Sequence, residues 1–133
     1  MNIVSLLKEK GFRVTKPRLE IIKVLSNYPL SAEEIHDALD KKNIRVDLAS
    51  VYRSLELFVK MSVVYSIELG EGKKRYELVN KNYHHHHLIC NKCGTIEDVE
   101  MNEINFDKKI NEKSKFLIDH HHLEFFGLCQ DCQ

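Results

Sequence analysis

The apolar positions of this chain change period along its length. From Ile3 to Val59 they recur at helical spacing, from Val63 to Leu78 they alternate as in strands, and beyond His84 short alternating runs surround one more helical stretch. Ile3, Leu6 and Leu7 predict a first helix that stops at Gly11. Thr15 is placed to cap a second, with Lys16, Pro17 and Arg18 in its first turn and Leu19, Ile22 and Leu25 as its buried stripe. Pro29 closes the following loop. Ser31 and Glu34 form a capping box ahead of Ala32, Ile35, His36 and Leu39, so His36 lies on or beside the inward face. Asp47 caps a fourth helix that turns Leu48, Val51, Leu55, Phe58 and Val59 inward.

Val63, Tyr65, Ile67 and Leu69 then read as a half-buried strand. A Gly70-to-Lys74 turn follows, and the return strand begins at Arg75. Helices followed by a basic-tipped hairpin describe a winged helix-turn-helix, in which one helix, here the fourth, enters the DNA major groove. On that helix the outward positions Ala49, Ser50, Tyr52 and Arg53 combine small residues, which permit close approach, with side chains that reach phosphates, thymine methyls and guanine edges. A plain solvated helix face is the alternative for such residues.

The second half is patterned differently. Val79 to Asn82 reads as a hinge, and the run from His84 to Cys90 as a strand. Thr95 to Val99 is expected to pair back on it. A helix from about Asn102 to Lys113 is expected to face Ile104 and Ile110 inward, and Phe116 to Phe126 to form a last strand. The fold class expected is therefore α+β: an N-terminal winged helix-turn-helix domain and a small α/β domain whose free strand edges and apolar helix suit pairing with a second copy.

Composition adds little until it is divided. Net charge is zero overall, yet residues 1–80 carry 14 Lys/Arg against 11 Asp/Glu (+3) and residues 81–133 carry 6 against 9 (−3). A basic half suits nucleic acid and an acidic, histidine-rich half suits metal. No long apolar run predicts a membrane span. Met1-Asn2-Ile3 leads straight into a charged helical pattern, so no secretion signal is expected and the cytoplasm is the expected compartment.

The chemistry gathers around four cysteines in two C-x-x-C pairs, Cys90 with Cys93 and Cys129 with Cys132. Such pairs build a closed tetrahedral zinc site. Two disulfides are the alternative, and each would be strained across its own turn. A staple of this kind does no chemistry. Its neighbours are more telling, because seven of the eight histidines flank the pairs, at 84–87 and 120–122. On a strand, His84 and His86 face one way and His85 and His87 the other, so one run supplies ligands to two places. Mixed histidine and carboxylate ligation suits Fe²⁺, Mn²⁺ or Zn²⁺. A metalloenzyme is a rival reading, but no H-E-x-x-H motif or cleft-forming second domain is evident, and no small organic substrate is expected. A zinc-stapled interaction module or metal store is another.

Taken together, Thr15-Lys16-Pro17-Arg18, Asp47 through Leu55, Arg75-Tyr76-Glu77-Leu78, His84 through Gly94 and His121 through Cys132 resemble the ferric uptake regulator family of metal-responsive repressors. The resemblance implies a DNA-binding domain over 1–79, a hinge over 80–83 and a metal-binding dimerisation domain over 84–133 with a structural Cys₄ zinc. It implies a hinge-side regulatory site of His36, Glu77, His85, His87 and Asp98. It also implies a second site of His84, His86 and His121 with Glu103, since the family's usual glutamate falls on Asn105. His86 stands where an aspartate is common, which favours a softer metal there. Peroxide-sensing members carry Asp where this chain has Glu77, and zinc-sensing members often add a cysteine that this chain lacks. The implied protein is a homodimeric, ferrous-iron-dependent repressor of metal-uptake genes at palindromic A/T-rich operators on double-stranded DNA. A zinc-uptake or peroxide-sensing regulator is the alternative. On this reading Arg13, Lys16, Arg18 and Lys73 support phosphate contacts beside the reading helix.

Overall fold

The computed structural model describes residues 2–25, 28–70, 72–79, 85–100, 106–118, 121 and 123–133, without the Asp107 side chain. The predicted hinge, His84, Ile104 and Glu103 lie outside these residues, as do His120 and His122. The chain divides into two compact units, Met1–Asn80 and Lys81–Gln133.

The first unit holds helices α1 (Ile3–Glu9), α2 (Lys16–Val24), α3 (Ala32–Lys41) and α4 (Leu48–Lys60), then strands β1 (Val64–Gly70) and β2 (Lys73–Leu78). Side chains start each helix. Asn2, Thr15, Ser31 and Asp47 accept first-turn amide hydrogens, and Ser31 with Glu34 closes a reciprocal capping box. Leu7, Ile21, Ile35, Leu39, Val51, Leu55 and Phe58 are wholly buried, so all four helices meet in one core. β1 and β2 pair antiparallel from Val64–Leu78 to Gly70–Lys73. Gly70 and Gly72 turn the tip at positive φ, which a side chain would strain. Leu30 and Tyr76 exchange backbone bonds of 2.9 and 2.7 Å, tying the hairpin to the loop before α3. This is a winged helix, with α4 the last helix before the hairpin.

Three expectations for this unit change. The α2 stripe centres on Ile21 and Leu25, with Leu19 and Ile22 half-buried. Adjacent isoleucines at 21 and 22 both satisfy a helical period, and only the neighbouring helices choose between them. Val59 is exposed, because the buried face of α4 runs through Ser54 and Leu55 to Phe58. In β1, Val64 is buried beside Val63, so burial does not alternate strictly at the strand's start. Phe58→Ala would open a cavity where α4 meets the other helices. It is expected to cost about 3–5 kcal/mol in urea unfolding followed by helical circular dichroism.

The second unit holds β3 (His86–Cys90), β4 (Ile96–Val99), α5 (Phe106–Lys113), β5 (Glu124–Gly127) and a short 3₁₀ turn, Gln130–Cys132. The sheet order is β4-β3-β5, with β4 antiparallel and β5 parallel to the central strand. The last strand is shorter than predicted: Phe116 and Leu117 lie outside it and are 76% and 94% exposed. Ile110 is exposed as well. Within this unit of a single chain, α5 therefore turns an apolar side chain to the outside, where periodicity alone predicts the inside.

Candidate metal centres and nucleic-acid face

The parallel pairing of β3 with β5 builds the thiol cluster. Cys90 ends β3 level with Gly127, and the Asn91 N–H donates to the Gly127 carbonyl at 2.8 Å. Two residues beyond Gly127, Cys129 leads into the 3₁₀ turn that ends on Cys132. On the other side, Gly94 at positive φ bends the chain just after Cys93. The four sulfurs lie within 4.8 Å of one another, and Cys93 Sγ is 3.7 Å from Cys129 Sγ. All four cysteines are free. A disulfide needs about 2.05 Å between sulfurs. A tetrahedral zinc with bonds of about 2.3 Å sets its ligands about 3.8 Å apart. The cluster fits zinc.

The thiols are also unequal. Amide N–H groups of Cys129, then Cys93, hold the Cys90 thiol down to about 6. Cys132 is pushed up to about 12, first by its bond with the Cys129 sulfur and then by burial. Four thiolates so close repel one another, and a divalent cation removes that conflict. Thr95 completes the arrangement, with its hydroxyl 3.0 Å from Cys93 Sγ. Thr95 reads from the sequence only as the start of a strand, and a hydroxyl two residues after a ligand is the signal that marks it as a thiol partner.

A second cluster forms where the start of β3 pairs with the end of β4. His87 sits directly opposite Asp98 in the ladder. His87 Nε2 and His85 Nε2 stand 3.7 and 3.8 Å from Asp98 Oδ1. Their rings are 4.9 Å apart and nearly perpendicular. Both histidines are buried while Asp98 is exposed, so two sheltered imidazoles meet a carboxylate that stays open to solvent. Such a set takes a borderline divalent metal.

His86 turns elsewhere. The Leu123 N–H donates to its Nδ1 at 3.2 Å, and its ring stacks on His121 at 5.4 Å. Phe106 meets His121 edge-on at 5.9 Å. The structure thus brings His86 and His121 together, while their expected companions His84 and Glu103 are outside the described residues.

In the first unit, His36 is half-buried on α3. Its Nε2–H donates to the Val46 carbonyl at 2.9 Å, and its Nδ1 faces Asp40 at 3.8 Å. A ring nitrogen anchored on a carbonyl is a common support for a metal-binding histidine, because it fixes which nitrogen keeps its lone pair. Glu77 is buried on β2.

The expected DNA face is open. Ala49, Tyr52 and Arg53 are exposed on α4 and Ser50 is half-exposed. The Ser50 N–H donates to Asp47 at 2.7 Å, and the Arg53 guanidinium donates to the Ser50 hydroxyl at 2.9 Å. At the start of α2, Arg18 donates to the Arg13 carbonyl, while Arg13 and Lys16 are exposed. Lys73 is exposed on the wing. Two acidic partners were not foreseen. Glu33 accepts from the Tyr52 hydroxyl at 2.9 Å, and Glu34 from Arg75 at 2.7 Å. Both contacts span too much sequence for a local pattern to reveal.

A winged helix with an open reading face, joined to a unit of thiol and imidazole clusters, defines a metal-responsive DNA-binding regulator. Comparison with known proteins gives the family. The model of the ferric uptake regulator family matches residues 9–126, and the chain belongs to that family. It is 36% identical to the ferric uptake regulation protein of Synechococcus elongatus, over 96% of this chain and 90% of that one. Among solved structures, the Helicobacter pylori ferric uptake regulator matches with a TM-score of 0.78 and 31% identity, covering 98% of this chain and 88% of that one. That structure is described as revealing three functional metal-binding sites. The Vibrio cholerae regulator matches with a TM-score of 0.75 and 32% identity, over 96% of this chain and all of that one. Members of this family are metal-binding transcription regulators, not enzymes. No helix among the described residues is long and apolar enough to cross a membrane.

Proposed function

We propose that this protein is a cytoplasmic, homodimeric repressor that uses ferrous iron as its signal. It occupies palindromic A/T-rich operators of metal-uptake genes. The convergence of His85 and His87 on Asp98 carries the metal-sensing part of this reading, because it sets imidazole and carboxylate ligands apart from the thiol cluster. His36 and Glu77 of the first unit complete that site. The ion, when bound, supplies a positive charge that attracts ligands from both domains across the hinge at 80–83. A switch from 1:99 to 99:1 between conformations needs roughly 5.5 kcal/mol of differential binding. Cys90, Cys93, Cys129 and Cys132 hold a structural zinc. His84, His86, His121 and Glu103 form the second site.

Ser50, Tyr52 and Arg53 touch base edges, while Arg13, Lys16, Arg18 and Lys73 hold phosphates. The dimer forms through the second unit, where β5 is an edge strand and Phe125, Phe126 and Leu128 are exposed. The relatives' names favour iron.

Anaerobic titration of Fe²⁺, Mn²⁺ and Zn²⁺ against binding to a palindromic A/T-rich duplex tests the reading, with the thiol cluster filled beforehand. Fe²⁺ is expected to raise affinity, with affinity falling steeply as salt increases. A response to buffered Zn²⁺ alone would replace iron with zinc. DNA binding that no metal alters would overturn the regulator reading.

A further inference from the structure

We propose that Glu33 is a positioning residue for sequence discrimination: its carboxylate holds the Tyr52 hydroxyl, aims the Tyr52 ring at one base pair and keeps the hydroxyl from the phosphates. The inference rests on the reading of α4 as the DNA-contacting helix.

The two side chains come from different helices, nineteen residues apart, and meet at 2.9 Å on the exposed face. The first turn of α3 divides its acidic residues between two tasks. Glu34 closes the capping box and receives Arg75 from β2. Glu33 meets its own backbone N–H and Ser31 at the same helix start, and in addition reaches α4. Its carboxyl lies below the usual range, held by its own backbone N–H and by the Tyr52 hydroxyl, so it is charged at neutral pH.

A fixed negative charge beside a phosphate-binding surface works against affinity. A carboxylate in the first turn of α3 favours that helix, and its bond across to Tyr52 is what points to selectivity. A tyrosine side chain has two rotations, and tethering its hydroxyl restrains both. The ring can then present one face or edge to a thymine methyl, which carries sequence information. An untethered hydroxyl would donate to phosphate oxygens, which carry none. Loss of the tether should therefore weaken binding to the correct site and strengthen binding to any other.

The test uses the full-length, metal-loaded protein and the duplex it selects from a randomised pool. Each base pair of that duplex is then substituted in turn, with a scrambled duplex as reference. Glu33→Ala and Tyr52→Phe should each lower discrimination at the same base pair roughly fivefold to tenfold, within the usual effect of a single mismatch. The double variant should lose no more than either alone. Glu33→Gln keeps an acceptor without the charge. It should retain discrimination while raising affinity for the scrambled duplex.

Loss of discrimination spread over the whole duplex, or additive effects of the two variants, would overturn the tether. Glu33→Ala with wild-type discrimination would do the same. Tyr52→Ala separates the two levels of the argument. Unchanged DNA affinity in that variant would overturn the reading of α4 itself, whereas a loss there with a silent Glu33→Ala would overturn the tether alone. Helical circular dichroism of each variant checks that α3 is intact.

Discussion

Cys129→Ser is expected to release the structural metal and unfold residues 81–133 while the winged helix stays folded. The reason lies in what the second unit has for a core. The hydrophobic cluster of buried residues lies entirely in the first unit, from Leu7 to Tyr76. Among the described residues of the second, only Ile89 and Cys90 are buried hydrophobics, beside His85, His86 and His87. A unit this small with so little apolar burial needs a staple. Structural zinc bound by thiolates contributes about 10–16 kcal/mol in small domains, far more than its other contacts can replace. Hydrogen exchange should show β3 and β5 losing protection together, with α4 unchanged, and metal content should fall in step. Protection of β3 that survives removal of the metal would mean that the sheet holds without its staple.

His87→Ala is expected to abolish the metal response of DNA binding without unfolding either unit. His87 stands opposite Asp98 in the ladder and shares it with His85, so its loss removes one of the three groups that converge there. Coupling between two binding events is ordinarily worth roughly 5- to 150-fold in affinity. In the variant that factor should shrink to unity, while affinity without added metal stays at its basal level. The thiol cluster lies at the other end of β3, so its metal content should not change. A metal response that persists in His87→Ala would place the sensing site elsewhere.

How much of this the chain declared in advance follows from how local each feature is. Thr15, Ser31 and Asp47 announced their helices because a cap bonds only to amides within the next turn. The two C-x-x-C pairs announced a cluster because spacing alone lets each pair present two sulfurs from one turn. The pairing of His85 with His87 needed only the two-residue period of a strand.

What escaped was decided by distant neighbours. Ile21 or Ile22 could have been the buried residue, and other helices settled it. Val59 continued the helical stripe of α4 on paper, yet it falls beside the buried face rather than on it. The long strand expected from Phe116 shrank to Glu124–Gly127, the residues that pair with β3 in register, while Phe116 and Leu117 lie exposed. Tyr52 and Glu33 are nineteen positions apart, so no periodicity could have joined them.

The central position of β3 bears on the order in which the protein is made. Its parallel partner, β5, and the second cysteine pair all come from the last ten residues of the chain. During synthesis the winged helix has all its strands and helices by Leu78, and can fold while the rest is still being added. The sheet of the second unit cannot close until Cys129 and Cys132 emerge. A growing chain therefore carries its reading helix before it can bring the four thiols together.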